Sequence, residues 1–323
     1  MNNIDKLVCT GGGSKVISCI GALKILEEKN ILKNIKKYAG SSAGGIICTL
    51  LNLEYSSKEI IEIILKINFG LINNFFLRIP FNLMNNYGLF NGNKIVKLFE
   101  NLLEKKGFNK NTTFLELYIK TGKILVLTGV SITVQDVFYF NFETTPNMKI
   151  VDALRITMSI PLFFTSIKYK INEKEHIFVD GGLINNFPIY YFDIVDEYNH
   201  YFINNEDLSK KKKEFGIKMI TDSTIGILCL DEEESLDVDD YYQGTNKINN
   251  IVDFIRCTLN TMLNKIEEDN FYNPITGSKK DFFKNVITIK LPIKIKATDV
   301  NLKKNDIDKL IEAGEEAAKK FFK

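Results

Sequence analysis

The sequence predicts an α/β fold whose first strands lie parallel and adjacent, and three observations carry that prediction. Two short apolar runs fall within the first fifty residues, each ends in a glycine-rich turn, and each turn leads into a segment with helical apolar spacing. Strand, turn and helix repeated at so short an interval make the crossover unit that connects neighbouring parallel strands.

The elements follow in order. Leu7–Thr10 reads as a strand ending at Gly11-Gly12-Gly13, and Ile17, Ile20, Leu23 and Leu26 then recur at helical spacing up to Glu27-Glu28-Lys29-Asn30. Lys37–Ala39 is a second strand meeting Gly40-Ser41-Ser42-Ala43-Gly44-Gly45, and Ile46–Leu53 is small and apolar enough for a buried helix. Ser56 and Glu59 form a capping box ahead of the stripe Ile60, Ile63, Ile64 and Ile67. Asn93–Lys106 repeats that pattern through Ile95, Leu98, Phe99 and Leu102 and stops at Gly107. Between these two helices, Phe69–Phe90 is dense in Phe, Leu and Asn and has no period, so it reads as a loop or lid, serving either core packing or a lipid-facing surface.

Farther along, Ile124–Thr133 and Val137–Phe142 read as paired strands around Gln135-Asp136. Asp152–Ser159 is a helix halted by Pro161, and Ile177–Val179 is a strand ending at Asp180-Gly181-Gly182. Tyr198–Asp240 carries the basic block Lys210–Lys213 and the acidic stretch Asp231–Asp240, which read as solvated loops. Ile251–Ile266, a strand near Val286–Ile293 and an Asn305-capped helix with Ile307, Leu310, Ile311, Gly314 and Ala318 close the chain. Neither an internal repeat nor a long linker calls for a second domain.

Composition narrows the function. A chain that is 45% hydrophobic and 25% charged can fill a core. Its 42 basic and 40 acidic residues leave a net charge of +2, without the electrostatic footprint of a nucleic-acid binder. Five cysteines without a CxxC pair read as buried, reduced thiols rather than a metal site. The start MNNIDKLVCTGGG lacks the basic end and apolar stretch of a signal peptide, and no apolar run approaches the roughly 18 residues of a membrane span. Cytoplasmic residence, with any membrane contact peripheral, is the expectation.

Gly40-Ser41-Ser42-Ala43-Gly44 fits GxSxG with Ser42 at its centre. An apolar run before it and a helix after it are the setting of a nucleophile elbow, which aims the serine from a helix N-terminus that favours developing negative charge. Serine needs a base to take its proton. The two histidines, His176 and His200, lie outside any glycine-rich turn, so a triad through either of them with Asp152 or Asp136 is weakly supported. Asp180 ends an apolar strand at a Gly-Gly turn, and its carboxylate could accept the proton directly, helped by a dry site that raises its basicity. Gly11, Gly12 and Gly13 offer backbone N–H groups for an oxyanion hole, each well-aimed donor contributing about 3 to 4 kcal/mol. A phosphate loop fits poorly, because Val16 stands where GxGxxG needs its third glycine and no GxxxxGK[ST] occurs. Lys15 would steer an anionic head group or simply sit solvated at the helix start.

Four segments, GGGSKVISCIGALKILEE, YAGSSAGGIICTLL, DALRITMSIPLFF and FVDGGLINNFPI, resemble the patatin-like phospholipase family in order and content. The resemblance implies a three-layer α/β/α sandwich with a largely parallel central sheet, and a single domain over 6–323 with the motif-bearing core at 6–188 and a weaker C-terminal part at 189–323. It further implies Ser42 as nucleophile, Asp180 as base, Gly11–Gly13 as oxyanion hole, and hydrolysis of lipid acyl esters at a lipid surface through an acyl-enzyme, with neither metal nor cofactor. Val16 departs from the family, which usually has glycine after the basic residue of that loop. An acyl transferase using the same site, or a catalytically silent lipid-binding module, are the alternatives to hydrolysis.

Overall fold

The computed structural model describes residues 4–70, 87–192, 223–230, 283–295, 299 and 302–323. Within them lie strands β1 (Lys6–Cys9), β2 (Lys37–Gly40), β3 (Gly88–Phe90), β4 (Ile124–Ser131), β5 (Asp136–Phe140), β6 (Leu162–Phe164), β7 (Ile167–Ile171), β8 (Lys174–Asp180), β9 (Thr224–Leu230) and β10 (Val286–Lys290). The helices are α1 (Ile17–Glu28), α2 (Ser42–Asn52), α3 (Ser57–Gly70), α4 (Asn93–Lys105), α5 (Phe114–Thr121), α6 (Ile150–Thr157) and α7 (Lys304–Phe321).

The central sheet runs β10-β9-β1-β2-β4-β8-β7, with β5 also paired to β4. The five strands from β10 to β4 are mutually parallel, and β8, β7 and β5 are antiparallel additions at the far end. This is the α/β class with a largely parallel sheet that the two strand-to-helix turns predict. Alternate residues of the parallel strands feed two separate apolar clusters. Leu7, Tyr38, Leu125, Ile227 and Ile287 join the helices on one face, while Val8, Ala39, Val126, Leu228 and Val286 meet Phe187, Ile189 and Phe192 on the other. Burial on both faces explains why these strands read as continuous apolar runs without alternation.

The described elements of the C-terminal part join this frame. β9 and β10 extend the sheet beyond β1, and α7 lies on α1. A Cβ on Gly21 would stand 1.9 Å from the Ile311 carbonyl oxygen, and one on Gly314 1.9 Å from that of Ser18, so the two backbones approach at reciprocal glycines. Lys24 pairs with Glu315 beside this crossing. Gly21→Ala forces the helices apart and is expected to lower stability by about 1 to 3 kcal/mol, read as a lower melting temperature with the site chemistry unchanged.

Three expectations change. Thr224–Leu230 lies inside the stretch read as solvated loops, yet it is a buried strand next to β1. The neighbouring charge blocks mask a seven-residue apolar run that has no alternation to betray it. The last helix begins at Lys304 with Lys303 as its cap residue, so Asn305 lies inside its first turn. Of Phe69–Phe90, Phe69 and Gly70 end α3, while Gly88–Phe90 forms a two-stranded parallel sheet with β6, the Phe90 and Phe163 rings meeting at a tilt with centroids 4.9 Å apart. Residues 71–86 of that segment, most of Tyr198–Asp240, Ile251–Ile266 and His200 lie outside the described residues.

Candidate active site

The three glycine turns converge because β1 and β2 are paired in register, Cys9 opposite Gly40. Their following turns therefore leave the sheet side by side at its carboxyl edge, where sites of open α/β sheets form. The contact is close: a Cβ on Gly44 would lie 2.3 Å from the Thr10 carbonyl oxygen, so the fifth residue of GxSxG must be glycine for the serine turn to sit against the first loop. β8 reaches the same edge from the other direction, placing Asp180 opposite Gly129 of β4.

Ser42 opens α2 with φ 51, a left-handed conformation unusual for a residue with a side chain and one that surrounding contacts must hold. Its hydroxyl donates to Asp180 Oδ2 at 2.7 Å. The other carboxylate oxygen, Oδ1, accepts the Gly182 N–H at 2.7 Å. Both side chains are nearly enclosed, at 7% exposure for Ser42 and 4% for Asp180. Burial pushes the Asp180 carboxyl up to about 7, against the opposing pull of the Ser42 hydroxyl and the Gly182 N–H. An aspartate so placed is a far better proton acceptor than one near 3.8.

In the glycine loop, Gly12 has φ 148 and Gly13 φ 55, which only glycine adopts without strain. Gly11 N–H donates to the Asn186 carbonyl at 2.9 Å. That amide fastens the loop to the Asp180 turn and is spent there, so of the three sequence-predicted donors Gly12 and Gly13 are the two with no acceptor among the described residues. Lys15 N–H closes the turn onto the Gly12 carbonyl, and the lysine's Cβ and Cδ lie over Gly12. Val16 is buried at 1% exposure as part of the core under the loop.

Four residues at the site carry no role in the sequence reading. Thr157 Oγ1 accepts the Ser42 N–H at 2.9 Å. The Ser159 carbonyl accepts the Asp180 N–H at 2.9 Å, and Arg155 Nη1 holds the Ser159 hydroxyl at 2.6 Å. Besides its carbonyl contact, Asn186 brings its amide oxygen to 2.1 Å from where a Gly11 Cβ would stand, a position that would itself lie 3.0 Å from Ser42 Cβ. All four fall within DALRITMSIPLFF and FVDGGLINNFPI, but nothing in their spacing marks which side chains turn toward the serine.

The other candidates lie elsewhere. His176 is buried against Phe138 and Phe178, with Nδ1 3.0 Å from Ser131 Oγ. It shares a strand face with Asp180, yet four residues of strand put it roughly 13 Å away. Asp136 is exposed, its Oδ1 accepting the N–H of the next residue, Val137, and Asp152 is half-buried in the first turn of α6. Among the described residues no group of three or more His, Cys, Asp or Glu side chains is placed to hold a metal ion, and no helix is long and apolar enough to cross a membrane.

Comparison with known proteins adds independent findings. A family model described as patatin-like phospholipase matches residues 7–193. Over 215 residues the chain is 35% identical to "Probable lipid hydrolase 463L" of Invertebrate iridescent virus 6, covering 67% of this chain and 69% of that one. Over 214 residues it is 29% identical to triacylglycerol lipase 5 of Saccharomyces cerevisiae, covering 57% of this chain but only 27% of the yeast protein. Among solved structures, VipD from Legionella pneumophila aligns with a TM-score of 0.56 over 99% of this chain and 66% of that one; at 15% identity the likeness is one of fold.

Proposed function

The chain belongs to the patatin-like phospholipase family, and from that premise we propose that it is a serine lipid acyl hydrolase, of the phospholipase A or lysophospholipase kind, working through a Ser42–Asp180 dyad at a lipid surface. The observation that carries the reading is the 2.7 Å hydrogen bond from the Ser42 hydroxyl to a carboxylate raised toward neutrality by burial. The names of two relatives, a probable lipid hydrolase and a triacylglycerol lipase, support the substrate class. The reading treats 6–323 as one domain, supported by the way β9 and β10 extend the sheet that bears the site.

The geometry supports the following steps on this reading. As Ser42 Oγ bonds to the ester carbonyl carbon, its proton passes to Asp180 Oδ2 and the carbonyl electron pair moves onto oxygen. The Gly12 and Gly13 amides and the N-terminus of α2 supply positive potential for that oxyanion. Collapse breaks the bond to the leaving alkoxide, which takes the proton from Asp180, and an acyl group remains on Ser42. Water then attacks the acyl-enzyme, giving its proton to Asp180, and expulsion of Ser42 Oγ with return of that proton releases the fatty acid.

A fluorophosphonate probe tests the chemistry without assuming a head group. Mass spectrometry of the labelled wild-type protein should find the adduct on Ser42, and folded protein that stays unlabelled would overturn the reading. Products from mixed phospholipid vesicles then identify the substrate, and a lysolipid acceptor separates hydrolysis from acyl transfer.

The pH dependence has a definite sign. The proton acceptor works as the ionised carboxylate, so kcat/KM for a short-chain p-nitrophenyl ester should rise about tenfold per pH unit below 7 and level off above it. The midpoint should fall near 7, the value to which burial raises Asp180, rather than near 3.8.

A further inference from the structure

We propose that the C-terminal end of α6 is the positioning element of the dyad, with Thr157 holding the nucleophile's backbone and Ser159 holding that of the base. This rests on the acyl-transfer reading of the site. Ser42 and Asp180 are 138 residues apart in sequence and come from a helix start and a strand end, so their 2.7 Å contact needs a common reference. α6 provides one. Its last residue accepts the Ser42 N–H through Thr157 Oγ1, and two residues later the Ser159 carbonyl accepts the Asp180 N–H. One dipeptide step thus fixes two main-chain positions whose side chains must meet.

The conformation of Ser42 makes the first grip necessary. At φ 51 the residue is in a region that side-chain-bearing residues leave unless local contacts hold them. Thr157 Oγ1, on a residue with 0% exposure, is the acceptor that the turn offers its N–H. Arg155 stiffens the second grip. Its guanidinium is buried and makes no ion pair with a carboxylate among the described residues. It spends its donors on Ser159 Oγ at 2.6 Å, the Thr165 carbonyl and hydroxyl at 2.9 and 3.0 Å, and the Asn91 carbonyl at 3.0 Å. Arg155 therefore ties the Ser159 bend to both strands of the small β3–β6 sheet, whose ends carry Asn91 and Thr165. Leu162, the first residue of β6, has φ 67, a second strained residue in a segment the guanidinium braces.

The test compares Thr157→Val, which keeps the shape and removes the acceptor, with Thr157→Ala and with Thr157→Ser, which restores the hydroxyl. Misplacing the nucleophile by about 1 Å can cost on the order of 100-fold in turnover. Thr157→Val and Thr157→Ala are therefore expected to lose between 10-fold and 100-fold in kcat on a p-nitrophenyl ester with KM little changed, and Thr157→Ser to recover to within a few-fold of wild type. The acid limb of the pH profile is the second readout. The Ser42 hydroxyl is one of two groups that favour the ionised Asp180, the Gly182 N–H being the other, and no charged neighbour contributes. Loosening the Ser42 bond should move the limb upward from about 7, a shift that partial unfolding would not produce. Crystal structures of wild type and Thr157→Ala complete the test independently of turnover, with the Ser42–Asp180 bond expected to be lengthened or lost in the variant. An intact bond there, or wild-type kcat and pH limb in both hydroxyl-free variants, overturns the proposal. If the wild-type protein itself neither turns over esters nor takes the fluorophosphonate, the acyl-transfer reading fails instead, and the crystal structures still decide whether Thr157 sets the geometry.

Discussion

On the proposed mechanism, replacing Ser42 by alanine is expected to cut ester hydrolysis by about 10,000-fold or more, because the group proposed to form the acyl-enzyme is lost and only binding and the proposed oxyanion stabilisation would remain. The neighbouring serine supplies the control. Ser41 is completely buried, and its hydroxyl has no hydrogen-bond partner among the described residues. Ser41→Ala removes an unsatisfied buried polar atom, so turnover should stay within about twofold and stability should hold or rise. Two adjacent serines thus have opposite expected fates for a geometric reason: one hydroxyl bonds to Asp180 and the other has no hydrogen-bond partner among the described residues. Initial rates on a p-nitrophenyl ester, with thermal unfolding to establish folding, decide the matter. Substantial activity in Ser42→Ala together with a loss in Ser41→Ala would reverse the assignment of the nucleophile.

How much of this was legible in the sequence depends on whether a feature is local. The turns at Gly11–Gly13 and Gly40–Gly44 announce themselves because glycine is the residue such turns demand, and the order strand, turn, helix follows from short-range spacing. Asp180 was accessible for the same reason, standing at a strand end before two glycines. β9 was not, because a strand covered on both faces loses the alternation that distinguishes a strand from any other apolar run, and here charge blocks surround it. The grips of Thr157 and Ser159 on the site are another matter. They join residues 115 apart in one case and 21 apart in the other, through hydroxyl and carbonyl groups that carry no pattern of their own. The reduction of the glycine loop from three donors to two is of this kind too, since only the fold shows that the Asn186 carbonyl takes the Gly11 amide.

Asp180→Asn should separate catalysis from stability, the two changing in opposite directions. Asparagine keeps the shape but has only one oxygen. That oxygen is needed by the Gly182 N–H, leaving the amide nitrogen to face Ser42 Oγ, so the hydrogen bond survives with its direction reversed and no proton acceptor remains. Turnover should fall by about 1,000-fold to 10,000-fold. Stability should rise at pH 8, and the sign follows from proton linkage. The unfolded chain releases the Asp180 proton near 3.8, whereas the folded chain holds it until about 7. Between those values the folded state binds more protons, so raising the pH favours unfolding, and above 7 the folded protein carries the full cost of an ionised buried carboxylate, on the order of 4 kcal/mol. The amide never ionises and escapes that cost. Asp180→Asn should therefore melt several degrees above wild type at pH 8, with the gap closing as the pH falls toward 4. A variant that melts below wild type at every pH would mean that the carboxylate is not buried as a charge. One that keeps more than a tenth of wild-type turnover would mean that the Ser42 proton leaves by another route, and His200 would then become the residue to replace.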